Sequence, residues 1–298
     1  VLVWESTPTD MRLTTNRHDR DSAGLLYVYP VVSRRAGGLS VGINLNPNNA
    51  CNWRCIYCQV PGLVYGMAPT IDLPRLEAEL RGFMDDLLRG DYMSKHVPEG
   101  SRVLKDVAFS GNGEPTSSKQ FAEAVDIVGR ALEAFDLLGK IQLVLITNGS
   151  LVHQPHVQRG LAAMKELGGV VWFKLDSATD AGQAHLNGAK LGVERVRANL
   201  EIAARACPTW IQTIMLGWSR DGATHAGGLP TPTETEAYLE FLRDLVRREV
   251  PVRGVLLYGL ARTSHQPEAS ELSPLPREWM ASFAARIEST GLGVRLCE

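Results

Sequence analysis

The chain lacks several features that would have narrowed its class at once. No apolar run approaches the ~18 residues that a membrane-crossing helix needs. Residues 1–5 are too short and wrongly flanked for a secretory signal, so a cytoplasmic location with no membrane partner is the expectation. Neither sign of charge dominates: 31 Lys and Arg stand against 33 Asp and Glu, a net charge of −2, with a sequence pI of about 6.4. That balance argues against the broad basic face with which proteins grip nucleic-acid backbones. The short basic pairs Arg34–Arg35 and Arg247–Arg248 read as solvated surface. Internal repeats and low-complexity tracts are missing. Cysteine is scarce and odd in number, five in 298 residues, which gives no disulfide framework and fits a reducing compartment. What remains, 44% apolar and 21% charged, is ordinary globular composition with ample material for a core.

Three of the five cysteines crowd into residues 47–62, as Cys51, Cys55 and Cys58 in a C-x3-C-x2-C spacing. So short a loop can turn three thiolates onto one soft metal centre. A four-iron cubane takes four ligands, and this loop supplies three, leaving one iron for something other than protein. Structural zinc would want a fourth Cys or His in a closed shell, and none lies nearby in sequence. Cys207 and Cys297 stand alone, with no second C-x-x-C that would indicate further clusters. Cys207, next to Pro208, reads as a small buried hydrophobe.

With Tyr57 just before its last cysteine, the C-x3-C-x-aromatic-C pattern resembles the signature of radical S-adenosylmethionine (radical SAM) enzymes. The resemblance implies a [4Fe-4S] cluster whose open iron is chelated by the amino and carboxylate groups of SAM. One electron then breaks the C5′–S bond, and a 5′-deoxyadenosyl radical abstracts hydrogen from substrate. It also implies an external one-electron donor, flavodoxin- or ferredoxin-like. Residues 30–35 and 38–45, continuing through Cys58 and Gln59, are similar to the lead-in of a subgroup that includes wyosine-synthase-like proteins.

Along the chain, residues 5–24 read as an extended arm, and residues 25–33 and 39–46 as a hairpin. Strands are expected at 41–45, 103–110, 141–147, 170–176, 210–216 and 254–260, with a short last one at 294–296. Between them, helical spacing of apolar residues marks 72–89, 121–135, 155–167, 193–206, a helix opened by the capping box Thr231 to Glu234, and one opened by Ser273 and Pro274. Thr116 to Ser118 are capping candidates for the second. His153 and His156 read as a helix start. Six strands alternating with six helices belong in a parallel sheet. A single domain is expected: an arm and hairpin over 1–40, then a partial (β/α)6 TIM-like barrel of parallel strands over 41–298. A doubly wound open sheet is the alternative.

In either fold chemistry collects at the C-terminal ends of the strands. There the sequence places Gly111, Asn112, Gly113 and Glu114, similar to the family's GGEP motif, which implies that backbone and Glu114 take the methionyl ammonium. Taken alone, those residues read equally as a glycine turn. Asn148 is a ribose ligand or half of an Asn-Gly turn. Alternation puts Lys174 and Asp176 on one side of their strand, either as an ion pair or with Lys174 on the SAM carboxylate and Asp176 on ribose or substrate. Gln212, rather than Thr213, is assigned to the lumen. Tyr258 is a candidate for stacking beside adenine. Residues 217–230 and 261–273 form long loops at this edge, read either as lids that exclude water or as surface loops. The substrate class expected is a small molecule or nucleoside, with tRNA base modification and a non-catalytic iron–sulfur sensor as alternatives.

Overall fold

The computed structural model describes residues 12–14, 23–33, 37–219 and 228–297. Most of the arm, the turn at 34–36 and the middle of the 217–230 loop lie outside these residues.

The longer elements are β1 (Val28–Ser33), β2 (Gly38–Asn44), α1 (Leu73–Arg89), β3 (Leu104–Ser110), α2 (Phe121–Ala134), β4 (Gln142–Thr147), α3 (Pro155–Glu166), β5 (Val170–Lys174), α4 (Asp180–Asn187), α5 (Val193–Ala206), β6 (Thr209–Met215), α6 (Pro232–Arg247), β7 (Val252–Gly259), α7 (Arg277–Glu288) and β8 (Val294–Cys297). All eight strands join one sheet, in the order of the chain. β1 pairs antiparallel with β2, from Val28 opposite Ile43 to Ser33 opposite Gly38. From β2 to β8 every pairing is parallel.

Sequential order separates the two expected folds. A doubly wound sheet reverses its strand order at a switch point. Here the order never reverses, so right-handed crossovers lay every helix on the same face and the sheet curls into a partial barrel. β1 and β8 are its two edges.

Strand alternation gives each face its own chemistry. Leu39, Val41, Ile43, Val107, Phe109, Leu143, Leu145, Val171, Phe173, Ile211, Val255 and Leu257 are fully buried in the core shared with the helices. α1, for example, sets Leu76, Leu80, Phe83, Met84 and Leu87 into that layer, each worth about 1.5–3 kcal/mol when fully buried. The opposite face carries Ser40, Asp106, Trp172, Lys174, Gln212 and Tyr258, which line the lumen.

Several local expectations need correction. Two helices, not one, follow β5. Thr116 to Ser118 do not cap α2: Pro115–Ser117 is a short 3-10 turn capped by Glu114, and α2 begins after Gln120 without a side-chain cap. Thr231 caps α6 as expected, but Glu234 does not reach back to it. Its carboxylate instead accepts from Ser177 Oγ (2.8 Å) and Thr179 Oγ1 (2.6 Å), tying α6 to the start of α4. Ser273 does not open the last helix. Leu272–Ser273 pairs with Gly217–Trp218, and α7 begins after Pro276.

Candidate active site

The cysteine loop leaves β2 at the C-terminal edge of the sheet. Asn44 Oδ1 accepts from the backbone N–H of Asn46 and of Asn112, both at 3.1 Å. Asn46 Nδ2 donates to the Ala50 carbonyl at 2.9 Å. Ala50–Cys51 then pairs with Val64–Tyr65, closing the loop on itself. Each of the three sulfurs receives an N–H: Cys51 from Trp53 N (3.4 Å), Cys55 from Asn187 Nδ2 (3.3 Å) and Cys58 from Val60 N (3.5 Å).

Burial pushes the Cys51 thiol up to about 12, and the neighbouring thiols push it the same way. Burial likewise raises Cys55 to about 11, while Lys174 and the Asn187 hydrogen bond pull it down. Metal-free, these two thiols are protonated near neutrality and take up metal by releasing protons. The donor set fits an iron–sulfur cluster: three soft sulfurs on one cavity wall, each already supplied with the N–H that supports a ligating thiolate. Among the described residues no three His, Cys, Asp or Glu side chains are arranged around a single metal ion. A cluster binds each sulfur to a different iron, so its ligands need not converge on one point.

The loop is held from outside by two segments. Arg54 N and Ile56 N donate to the carbonyls of Asn187 and Leu186, each at 2.9 Å, at the end of α4. Ser264 Oγ donates to Ile56 O at 2.7 Å, His265 N to Cys58 O at 2.9 Å, and Gln266 Nε2 to Val60 O at 3.3 Å. Arg54 and Glu268 form a bidentate pair at 3.0 and 2.5 Å. Residues 264–268 of the 261–273 segment thus form a strap across the cysteine loop. Of the 217–230 loop, 220–227 lie outside the described residues.

The Gly111-to-Glu114 turn packs against the root of the same loop. Gly111 has φ +125°, and a Cβ on Gly113 would fall 2.0 Å from Ala50 O. Asn112 Nδ2 donates to Asn49 Oδ1 at 2.6 Å. Glu114 is buried, and its Oε1 accepts from Thr116 N (3.1 Å), Thr116 Oγ1 (2.5 Å) and Thr147 Oγ1 (2.6 Å), its Oε2 from Asn148 N (2.7 Å). Burial raises the Glu114 carboxyl, with those donors acting against it. The Glu114 carboxylate knots the ends of β3 and β4 together, with spare acceptor capacity on Oε2. Asn148 is also engaged at both ends of its amide. Its Nδ2 donates to Asn52 Oδ1 (2.8 Å), and its Oδ1 accepts from Ser150 N (3.0 Å) and Ser150 Oγ (2.7 Å).

Across the lumen, Lys174 Nζ donates to Tyr258 OH at 3.0 Å and lies 3.7 Å from Asp176 Oδ2. It also sits 5.1 Å from the centre of the Tyr57 ring and 5.6 Å from that of Tyr258. Burial works to lower its pKa, but Asp176, Tyr258 and Cys55 outweigh it and hold Lys174 above the ordinary lysine range. Asp176 Oδ2 accepts from the Tyr57 hydroxyl and from Asn187 Nδ2 (2.7 Å), and Oδ1 from Ile214 N (3.1 Å). Burial and Asp176 raise the Tyr57 phenol well above its usual value, keeping it a donor. Gln212 lines the lumen, with its Nε2 buried and lacking a partner. Thr213 turns to the helix side, against the Tyr238 hydroxyl at 2.6 Å.

Asn187, Thr147 and Asn52 were not singled out in sequence. Asn187 had a signal: it directly precedes Gly188, which ends α4 in the left-handed conformation at φ 60°, a common helix stop. Thr147 and Asn52 carry none, because their roles depend on which strand ends meet.

A curled parallel sheet with three cysteines at its C-terminal edge defines the partial-barrel iron–sulfur enzymes as a class. The sequence model of the Radical SAM superfamily matches residues 45–221, more than half of the chain, and the chain belongs to that superfamily, whose enzymes work with a [4Fe-4S] cluster and SAM. A UPF0026 protein of Helicobacter pylori (strain ATCC 700392 / 26695) is 29% identical over 149 residues, 50% of this chain and 41% of that protein. The match thus spans less than half the length of this relative. Among solved structures, a radical SAM methyltransferase from Sphaerobacter thermophilus aligns with a TM-score of 0.56 at 14% identity, covering 87% of this chain and 66% of the other. A mutant spore photoproduct lyase with bound AdoMet and dinucleoside spore photoproduct aligns with a TM-score of 0.51 at 11% identity, covering 87% and 76%. These likenesses concern the fold. No helix among the described residues is long and apolar enough to cross a membrane.

Proposed function

We propose that the chain holds its [4Fe-4S] cluster on Cys51, Cys55 and Cys58, and acts on a small molecule or nucleoside bound in the lumen. The observation that carries this reading is the trio of sulfurs, each with its own N–H donor, facing a half-buried lysine across one cavity. When bound, cluster and SAM supply reductive cleavage of the sulfonium, which yields a carbon radical able to take hydrogen from substrate.

The chain's own residues position and desolvate. Lys174 stays cationic and spends one donor on Tyr258, so it is suited to the SAM carboxylate. The ammonium is assigned to backbone carbonyls of Gly111, Asn112 and Gly113, with Glu114 Oε2 behind them. Asn148 acts by holding Asn52 and the cysteine loop rather than by reaching a ribose. Tyr57 and Tyr258 flank Lys174 with their rings, which excludes water from it.

A small substrate is favoured over tRNA by the surface. Arg247 and Arg248 are ion-paired with Glu240, Asp244 and Glu201, leaving no basic patch there. A flavodoxin- or ferredoxin-like protein is the proposed electron source. Anaerobic incubation with SAM and dithionite tests the reading: 5′-deoxyadenosine should accumulate well above a Cys55→Ala control, and equal amounts would contradict it. A salt-dependent gel shift with tRNA would redirect the substrate assignment.

A further inference from the structure

Asn187 ends α4 and is 1% exposed. Its Nδ2 lies 2.7 Å from Asp176 Oδ2, 3.2 Å from Tyr57 OH and 3.3 Å from Cys55 Sγ. An amide nitrogen has two hydrogens for these three acceptors. Asp176 takes one through the shortest contact. The second is shared between Tyr57, whose own hydroxyl hydrogen goes to Asp176, and the Cys55 sulfur. Ligation to iron leaves that sulfur negatively charged, and a charged acceptor draws the shared hydrogen to itself.

The three sulfurs differ in who supplies the donor. Cys51 and Cys58 are served by backbone N–H groups of Trp53 and Val60, which side-chain substitution leaves in place. Cys55 is served by the side chain of a residue 132 positions away. The backbone carbonyl of Asn187 separately holds Arg54 N at 2.9 Å, so the cysteine loop keeps that anchor whatever side chain stands at 187.

We propose that Asn187 is a positioning residue that sets the reduction potential of the cluster through its N–H on Cys55, and so governs how readily an external donor can charge it. This rests on the assignment of the cluster to Cys51, Cys55 and Cys58. A donor to a ligating sulfur stabilises the more negative, reduced cluster, so hydrogen bonds to the sulfurs raise the potential.

The test is potentiometry followed by electron paramagnetic resonance on the anaerobically reconstituted full chain, with iron and sulfide counted in each sample. Asn187→Leu keeps similar bulk and loses the donor. Its midpoint should fall by the equivalent of about tenfold in the reduction equilibrium, about 59 mV for one electron. Asn187→Gln, which keeps an amide, should lie between it and wild type. An unchanged midpoint in Asn187→Leu at full iron content would overturn the proposal. If Asn187→Leu takes up no iron, Asn187→Gln decides: restored iron supports the N–H, and loss from both variants overturns it. A wild-type chain that takes up no iron would bring down the cluster assignment itself, and this inference with it.

Discussion

The two rims of the barrel mouth are built on opposite plans. At the ends of β3 and β4, Glu114 and Asn148 are committed to the protein: the Glu114 carboxylate accepts four hydrogen bonds and the Asn148 amide is engaged at both ends. At the ends of β5 to β7, Lys174 retains donor capacity and Gln212 Nε2 has no partner. Satisfied polar knots rigidify, whereas unmet donors in a buried site are costly until a ligand meets them. The first rim is therefore chiefly scaffolding for the cysteine loop, offering a ligand backbone carbonyls and Glu114 Oε2, whereas the second presents side-chain donors that a ligand can meet.

The sharpest way to break that division is to untie the scaffold. Glu114→Ala strands four donors and should lower stability by roughly 3–5 kcal/mol, read as the midpoint of chemical unfolding. A variant as stable as wild type would refute the scaffold role. Gly113→Ala drives a Cβ into Ala50 O and should cost about 1–3 kcal/mol while reducing iron uptake, measured as iron per chain.

On the other rim the balance should invert. Lys174→Met leaves Asp176 with Tyr57, Asn187 and Ile214 as donors, so stability should drop by only about 1 kcal/mol. SAM binding should weaken about tenfold, about 1.4 kcal/mol, by equilibrium dialysis. Gln212→Leu removes an unmet donor at similar volume. Its unfolding free energy should hold or rise by up to about 1 kcal/mol. A clear loss would show that Gln212 is part of the scaffold after all.

The remaining effect concerns pH and is confined to alkaline conditions. Cys51 and Cys55 ionise near 9 when unfolded but only at about 12 and about 11 in the metal-free fold. Between those values the unfolded chain has shed protons that the folded chain retains, so stability falls as pH rises. The metal-free protein should keep this contribution below pH 9 and lose it progressively toward pH 12. A Cys51→Ala, Cys55→Ala double variant should show a flatter decline.

Much of the fold was legible because it follows from period and length. Continuous apolar strands separated by amphipathic helices imply a parallel sheet, and the sequential order then selects the curled form. The cysteine spacing was legible because three soft ligands in so short a stretch have few other uses. What stayed hidden depends on contacts between distant segments. Nothing local shows that Glu114 meets Thr147, that Glu234 ties down Ser177 and Thr179 instead of closing its own capping box, or that residues 264–268 strap the cysteine loop. α4 was missed because it carries no strong apolar stripe, only Thr179 at its start and Gly188 at its end. Asn187 was missed with it.

The central claim is that three sulfurs on the scaffolded rim carry a cluster with an iron left open. Iron, sulfide and zinc counted in the anaerobically reconstituted chain, beside single Ala variants of Cys51, Cys55 and Cys58, test it most directly. The account predicts four irons and four sulfides per wild-type chain and a large loss in every variant. One zinc per chain with no sulfide, or full iron in any of the three variants, would contradict it.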